Sequence, residues 1–339
     1  MIYRSKAPLR IGLAGGGTDV SPYSDLFGGA VLNAAISLYA HAVIEPIAEN
    51  KIIIEATDRN EQQEFECGTI LPYNGTLDLH KAVCNRIQKD HSLSTGFKLS
   101  SVVDAPAGSG LGTSSTLVVA LLGAFTKMLQ LSLDNYQVAQ YAYAIERNDL
   151  QLPGGKQDQY AASFGGMNFM EFFAGNKVTV QPLKIAAGQL QELEQNLVLY
   201  FTDTSRDSNA IITEQMNNVT NKNLQSIEAM HQLKMQAKMM REALLSGHID
   251  AVGPILDYGF THKKQMAHNI SNTTIENIYA AAQKAGASGG KISGAGGGGF
   301  MIFYCPGNSH NAVMETLNSF GGVIKDYHFV NEGMVSRTE

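Results

Sequence analysis

The segment Asp104-Ala-Pro-Ala-Gly-Ser-Gly-Leu-Gly-Thr-Ser-Ser-Thr116 lies between a strand-like run and a helix-like run, and its residue types suit the binding of a phosphate. Glycines let a backbone turn its N–H groups inward, and a helix N-terminus adds unpaired donors and the positive end of a dipole. The hydroxyls of Thr113, Ser114 and Ser115 can add hydrogen bonds or a ligand to Mg2+. Pro106, Gly108, Ser109, Gly110, Leu111, Gly112, Thr113, Ser114 and Ser115 are therefore the candidate cradle. It is not a Walker A loop, because the lysine of G-x-x-x-x-G-K-[ST] is missing. A flexible strand-to-helix turn is the competing reading of this loop taken alone.

Two further glycine clusters flank it. Eight glycines fall between Gly286 and Gly299, and Gly294-Ala-Gly-Gly-Gly-Gly299 matches G-x-G-x-x-G literally. A dinucleotide fingerprint must follow the first strand and open a helix, whereas this one runs into the strand-like Phe300-Met-Ile-Phe-Tyr304. A loop allowing close approach of another backbone or of a ligand, centred on Gly296 and Gly297, fits better. The first cluster, Gly15-Gly-Gly17 followed by Thr18-Asp19, ends a strand and by itself could be only a turn.

The elements that must position these loops alternate in type. Strands are expected at Pro8–Ala14, Lys51–Ala56, Phe97–Val103, Met167–Phe173 and Asn196–Thr202, with later ones at Lys291–Ser293, Phe300–Tyr304 and Val323–Phe329. Helices are expected at Leu77–Asp90, Ser114–Leu129, from an Asp134 N-cap to about Asn148, and at Asn223–Ser246 with Gly247 closing it. Thr273–Lys284 and Asn311–Ser319 complete them. The chain is therefore mixed α+β, and two domains are expected, 1–187 and 188–339. That division agrees with 339 residues at roughly 150 per domain.

Composition removes other classes. Twenty-five Lys+Arg against 31 Asp+Glu give a net charge of -6, which disfavours binding nucleic acid through bulk charge. No apolar run nears the roughly 18 residues that suggest a membrane span, and no signal-type segment follows Met1, so a cytoplasmic protein is expected. Cys67, Cys84 and Cys305 form no C-x-x-C pair, and the nine histidines make no H-E-x-x-H motif, which argues against a disulfide scaffold and a zinc site.

The three glycine clusters in this order, with Ala7-Pro-Leu-Arg10 before the first and Pro106 to Ser114 matching P-x-x-x-G-L-G-[ST]-S, resemble the motifs of the GHMP kinases. With Gly154-Gly-Lys-Gln-Asp-Gln-Tyr-Ala-Ala and Lys291-Ile-Ser-Gly-Ala-Gly-Gly-Gly-Gly-Phe added, the narrower resemblance is to the D-glycero-α-D-manno-heptose 7-phosphate kinases within that superfamily. The label heptose 1-phosphate kinase is also attached to such sequences. The resemblance implies an N-terminal domain like ribosomal protein S5 domain 2, a ferredoxin-like C-terminal domain, and an active site between them. It implies transfer of the ATP γ-phosphoryl, with Mg2+, to the anomeric hydroxyl of the sugar 7-phosphate, making a 1,7-bisphosphate on the route to GDP-heptose and surface polysaccharide. The partners implied are ATP and a sugar phosphate, with the chain a monomer or homodimer. A fucokinase-like enzyme acting on an unphosphorylated sugar, and a non-catalytic sensor on the same fold, remain open.

By the same resemblance Asp158 is the general base, Arg10 its cationic partner, Glu146 the Mg2+ carboxylate and Ser114 the hydroxyl ligand. Asp19, with Gly16, Gly17 and Thr18 around it, matches the family's sugar-hydroxyl aspartate, although Gly16-Gly17 replaces the Glu-His of galactokinase and puts galactose in doubt. Helix geometry argues that Glu146 does not pair with its neighbour Arg147. Lys156 is a candidate to bind phosphate or tune the base. A kinase acting on a phosphorylated sugar also needs a second phosphate site. Arg206 and Lys263-Lys264 offer one, unless Arg206 pairs with Asp203 or Asp207 and the lysines are solvated.

Overall fold

The computed structural model describes residues 1–91, 93, 95–204 and 208–339. The strands are β1 (Tyr3–Ala14), β2 (Gly29–Pro46), β3 (Lys51–Ala56), β4 (Glu61–Glu66), β5 (Phe97–Val103), β6 (Met167–Phe172), β7 (Val178–Pro182), β8 (Leu197–Phe201), β9 (Gly289–Ile292), β10 (Phe300–Tyr304), β11 (Val323–Ile324) and β12 (Val335–Thr338). Among the described residues, eight of them make one sheet in the order β12-β1-β2-β5-β3-β4, with β6 and β7 continuing from the other half of β2. β11-β8-β10-β9 make a second sheet, antiparallel throughout. The long β2 joins both parts of the first sheet because its Gly29–Ala34 half pairs with β6 and its Ala40–Pro46 half with β5.

The helices are α1 (Tyr23–Phe27), α2 (Asp78–His91), α3 (Thr113–Met128), α4 (Asn135–Ala144), α5 (Gln157–Phe164), α6 (Ala187–Asn196), α7 (Ser208–Thr220), α8 (Leu224–Ser246), α9 (Val252–Lys263), α10 (Thr273–Lys284) and α11 (Ser309–Asn318). Their ends follow local chemistry. Asp134 caps α4 in a capping box with Gln137, the Asn223 and Asn272 side chains accept from Ser226 and Ile275, and Gly247 ends α8 in the left-handed region at φ 80°.

α3 is the apolar helix expected after the central loop, and Leu117 to Ala120 pack with Ala40, Ala42, Ile44 and Leu99 of the sheet. The opposite side of β1 and β2 is not solvated. Leu9, Ile11, Leu13 and Leu32 share a core with Ala237, Met240 and Leu244 of α8, with Ile255 and Leu256 of α9, and with Leu199 and Ile302 of the second sheet. Each such side chain withdrawn from water contributes about 1.5–3 kcal/mol, so the two sheets are held together by burial through their helices.

The expected final strand at Val323–Phe329 is corrected. Only Val323 and Ile324 pair, with β8, after which the chain crosses to the first sheet, where Phe329 bridges Ile36 and β12 pairs with β1. The reason is where the backbone groups find partners: His328 and Val330 exchange hydrogen bonds with Ser37 and Ala35 of the first sheet and with Gly166 just before β6, rather than continuing along β8.

Candidate active site

An open cleft of about 890 Å3 lies where the central loop, the loop after β1, the loop before α5, and helices α7 and α9 meet. Arg10 projects from β1, and only 3% of it is exposed. Its Nε donates to Asp158 Oδ1 at 2.7 Å, with Nη2 2.6 Å from the same oxygen, while Nη1 donates to the Gly110 carbonyl at 2.5 Å. One guanidinium therefore fixes both the acid in the first turn of α5 and the central loop. Its planar fork has the geometry for that double task, which an ammonium lacks.

Gly112, the residue before α3, adopts φ 78°, and a Cβ there would lie 3.1 Å from the Asp158 carboxyl carbon. The loop's N–H groups and the Asp158 carboxylate therefore stand side by side. Gly110 is equally constrained, with φ 86° and the Ser293 carbonyl 2.7 Å from where a Cβ would sit. Ser293 Oγ donates to the Gly110 carbonyl at 2.8 Å, and the Phe300 N–H donates to the Ser109 carbonyl at 2.8 Å.

Glu146 is held by an unusual piece of helix. α4 widens into a π-helical turn over Ile145–Asp149, a form concentrated at functional sites, and this turn sets Glu146 into the cleft wall. Only 2% of Glu146 is exposed, and it accepts from Ser115 Oγ at 3.0 Å and from Gln159 Nε2 at 2.5 Å. Burial pushes its carboxyl up despite these bonds and the Arg147 charge. The π turn also overturns the expectation that Glu146 and Arg147 stay apart, because Arg147 Nη1 comes within 3.8 Å of Glu146 Oε1. A buried carboxylate with so distant a countercharge, and with the Ser114 hydroxyl lining the same cleft, fits a bound divalent cation.

Asp19 is 1% exposed. Its Oδ2 accepts from the Lys156 and Gln157 backbones at 2.9 and 3.0 Å, and its Oδ1 accepts longer bonds from the Gly17 N–H at 3.2 Å and Gln157 Nε2 at 3.3 Å. Gly155 is required here, since a Cβ would occupy the space of Asp19 Oδ2.

The cleft thus gathers Arg10, Gly17, Asp19, Glu146 and Asp158 with Gly108, Gly110, Gly112, Thr113, Ser114 and Ser115 of the central loop. Other expected residues stand elsewhere. Leu111 is buried in the core and Ser109 is fully buried in the seam with Phe300, while Pro106 sits at the exposed edge. Gly16 lies behind Gly17 against Gln157, and the Thr18 hydroxyl donates to the Gly15 and Ala30 carbonyls, fastening the loop to β2. Lys156 turns away from the cleft: its Nζ reaches Ser24 Oγ at 3.3 Å and Asp25 Oδ1 at 3.4 Å on α1, because its backbone is pinned by Asp19. Gly296 and Gly297 pack on Ile270, whose carbonyl accepts from the Gly297 N–H at 2.8 Å, leaving Gly294 and Ala295 at the cleft. Arg206 lies outside the described residues.

The structure adds Gln157, Ile212 and Gln215 to the cleft wall, and it also places there Lys263, one of the two lysines expected at a second phosphate site. Gln157 was legible as the neighbour of Asp158, but nothing in the spacing around Gln215 marks it. Lys263 is buried and Lys264 is partly exposed, reaching Glu276 at 3.2 Å.

A partly buried acid held by a buried arginine, beside a glycine loop that opens a helix and a second carboxylate suited to a cation, fits the apparatus of a phosphoryl-transfer enzyme. Residues 78–166 match the family model "GHMP kinases N terminal domain" and residues 240–322 match "GHMP kinases C terminal". A D-glycero-alpha-D-manno-heptose 7-phosphate kinase of Campylobacter jejuni is 42% identical over 334 residues, covering 98% of each chain. Among solved structures, a D-glycero-D-manno-heptose 1-phosphate kinase from Bacteroides thetaiotaomicron superposes with a TM-score of 0.85 at 41% identity over 99% of both chains. A Campylobacter jejuni sugar kinase gives 0.82 at 42% identity over 99% of this chain and 98% of that one. The chain belongs to the GHMP kinases, with that family's N- and C-terminal domains, and is an ATP-dependent phosphotransferase. Among the described residues no helix is long and apolar enough to cross a membrane.

Proposed function

We propose that this kinase uses ATP and Mg2+ to phosphorylate the anomeric hydroxyl of D-glycero-α-D-manno-heptose 7-phosphate, yielding the 1,7-bisphosphate. The observation that carries the reading is the Arg10–Asp158 pair set against the central glycine loop, together with 42% identity over nearly the whole length to a kinase of that name. Asp158 accepts the proton of the attacking hydroxyl, and Arg10 holds the carboxylate in place. The N–H groups of Gly110 to Ser114 and the positive end of α3 receive the transferring phosphate and its neighbour. Glu146 and Ser114 would hold Mg2+, which when bound neutralises phosphate charge. The edge of Asp19 with the longer bonds, and Gln157, orient the sugar hydroxyls.

The test is turnover of purified enzyme with heptose 7-phosphate, heptose 1-phosphate and unphosphorylated heptose and fucose, the product being located by phosphorus NMR. A 1,7-bisphosphate formed from the 7-phosphate is expected, and exclusive use of another acceptor would overturn the substrate. Asp158→Asn should lower kcat by about 100-fold or more while ATP binding survives. Near-normal turnover of that variant would move the proton transfer elsewhere.

A further inference from the structure

One wall of the cleft, made by α7 and the last turn of α9, carries two donors that have no acceptor among the described residues. Gln215 is 2% exposed, lines the cleft, and its Nε2 is buried with no hydrogen-bond partner among the described residues. Gly17 faces the same amide, since a Cβ there would lie 3.5 Å from Gln215 Oε1. Lys263 is likewise 2% exposed and lines the cleft, and its ammonium makes no hydrogen bond or ion pair among the described residues. Asp19 is near enough to attract it but is already engaged by four N–H groups from Gly17, Lys156 and Gln157. Arg10 and Lys291 add positive charge nearby rather than relief.

Leaving an amide donor and an ammonium unpaired in one buried wall forfeits the hydration both had in water, so a ligand rich in acceptors belongs there. A sugar hydroxyl would satisfy the amide. Only an anion offsets the desolvated ammonium, and Asp158 and Glu146 are committed to Arg10 on one side and to Ser115 and Gln159 on the other.

We infer that Lys263 and Gln215 together receive the phosphate that the sugar substrate already carries, which makes this wall the determinant of preference for a phosphorylated acceptor. The inference rests on the proposed sugar-phosphate substrate. The phosphate oxygens accept from Lys263 Nζ and Gln215 Nε2, and the wall takes no part in bond making.

The experiment compares kcat/KM for heptose 7-phosphate and for unphosphorylated heptose in the full-length enzyme, in Lys263→Met and in Gln215→Glu, with Lys263→Arg as the charge-conserving variant. In Lys263→Met and Gln215→Glu the ratio of the two values should fall about 10- to 100-fold through KM for the phosphorylated sugar, with KM for ATP unchanged. Lys263→Arg should keep most of the preference, which shows that a loss in Lys263→Met is one of charge and not of folding. Inorganic phosphate should compete with the sugar on the parent enzyme and lose that effect in Lys263→Met. An unchanged ratio in folded variants, or an equal loss on both sugars, overturns the inference and leaves the substrate reading standing. A parent enzyme that turns over unphosphorylated sugars but no sugar phosphate overturns both.

Discussion

Lys263 carries a charge that its surroundings oppose: burial first, and then the Arg10 guanidinium, press its amine down to about 8, with Asp19 pulling the other way. Its neighbours from the packed elements are Arg10 on β1, Asp19 in the following loop and Lys291 on β9. Lys291 is itself driven well below the usual lysine range by burial and by those two cations, and it donates to the Gly12 carbonyl at 2.8 Å. The sign follows directly. A lysine whose value is depressed is cationic below about pH 8 and neutral above it, so affinity for an anionic sugar should fall as pH rises through 8. In the parent enzyme, kcat/KM for the sugar phosphate should drop by about tenfold per pH unit above that value. Lys263→Arg, which does not deprotonate in this range, should remove the decline. Matched profiles of the two enzymes between pH 7 and pH 9.5 would show that the decline belongs to another group.

The elements that hold these residues differ in how openly the sequence shows them. α10 and β5 occur over the expected Thr273–Lys284 and Phe97–Val103, since the Asn272 cap punctuates one and the loop entered at Asp104 the other. β2 gives no such signal. From Gly29 to Ile36 every residue is buried, because both faces are covered, and a strand buried on two sides loses the alternation that would announce it. α9 was obscured for a different reason: Gly253 and Gly259 interrupt its pattern, yet both serve close contact, where a Cβ would strike Ser288 and Gln236 respectively. Lys263 sits at the end of that concealed helix, so its burial could not be read from Phe260-Thr-His-Lys-Lys264 alone. Among the site residues, Arg10 and Asp158 were legible because a motif carries them, whereas the partners of Lys156 and the place of Gln215 in the cleft wall depend on which helices the fold brings near. The central loop offers a test at this scale. Gly110→Val would force a side chain into the left-handed region and against the Ser293 carbonyl, and the loop would have to withdraw from its place beside Arg10. KM for ATP should rise by about 10-fold or more in calorimetric or kinetic titration, and unchanged ATP affinity would leave the loop a mere turn.

Across the whole molecule, the seam at which the Phe300 N–H and Ser293 Oγ reach the carbonyls of Ser109 and Gly110 ties the central loop of one domain to the glycine loop of the other. The core shared by β1, β2, α8 and the second sheet continues that attachment, as does the pairing of β12 with β1. Ligand and architecture are then thermodynamically coupled: whatever the loop binds is bound only while both domains stay docked, so ATP should act as an adhesive for the entire chain. Scanning calorimetry should show one heat-absorption peak, moving intact to higher temperature as ATP is added. At 100 times its dissociation constant the nucleotide contributes about 2.7 kcal/mol, a displacement of a few degrees in a chain of this size. Two peaks, of which only the earlier responds to ATP, would mean that the domains melt independently. In the coupled case, a substitution far from the cleft that loosens the seam would weaken nucleotide binding without touching a single residue that meets the nucleotide.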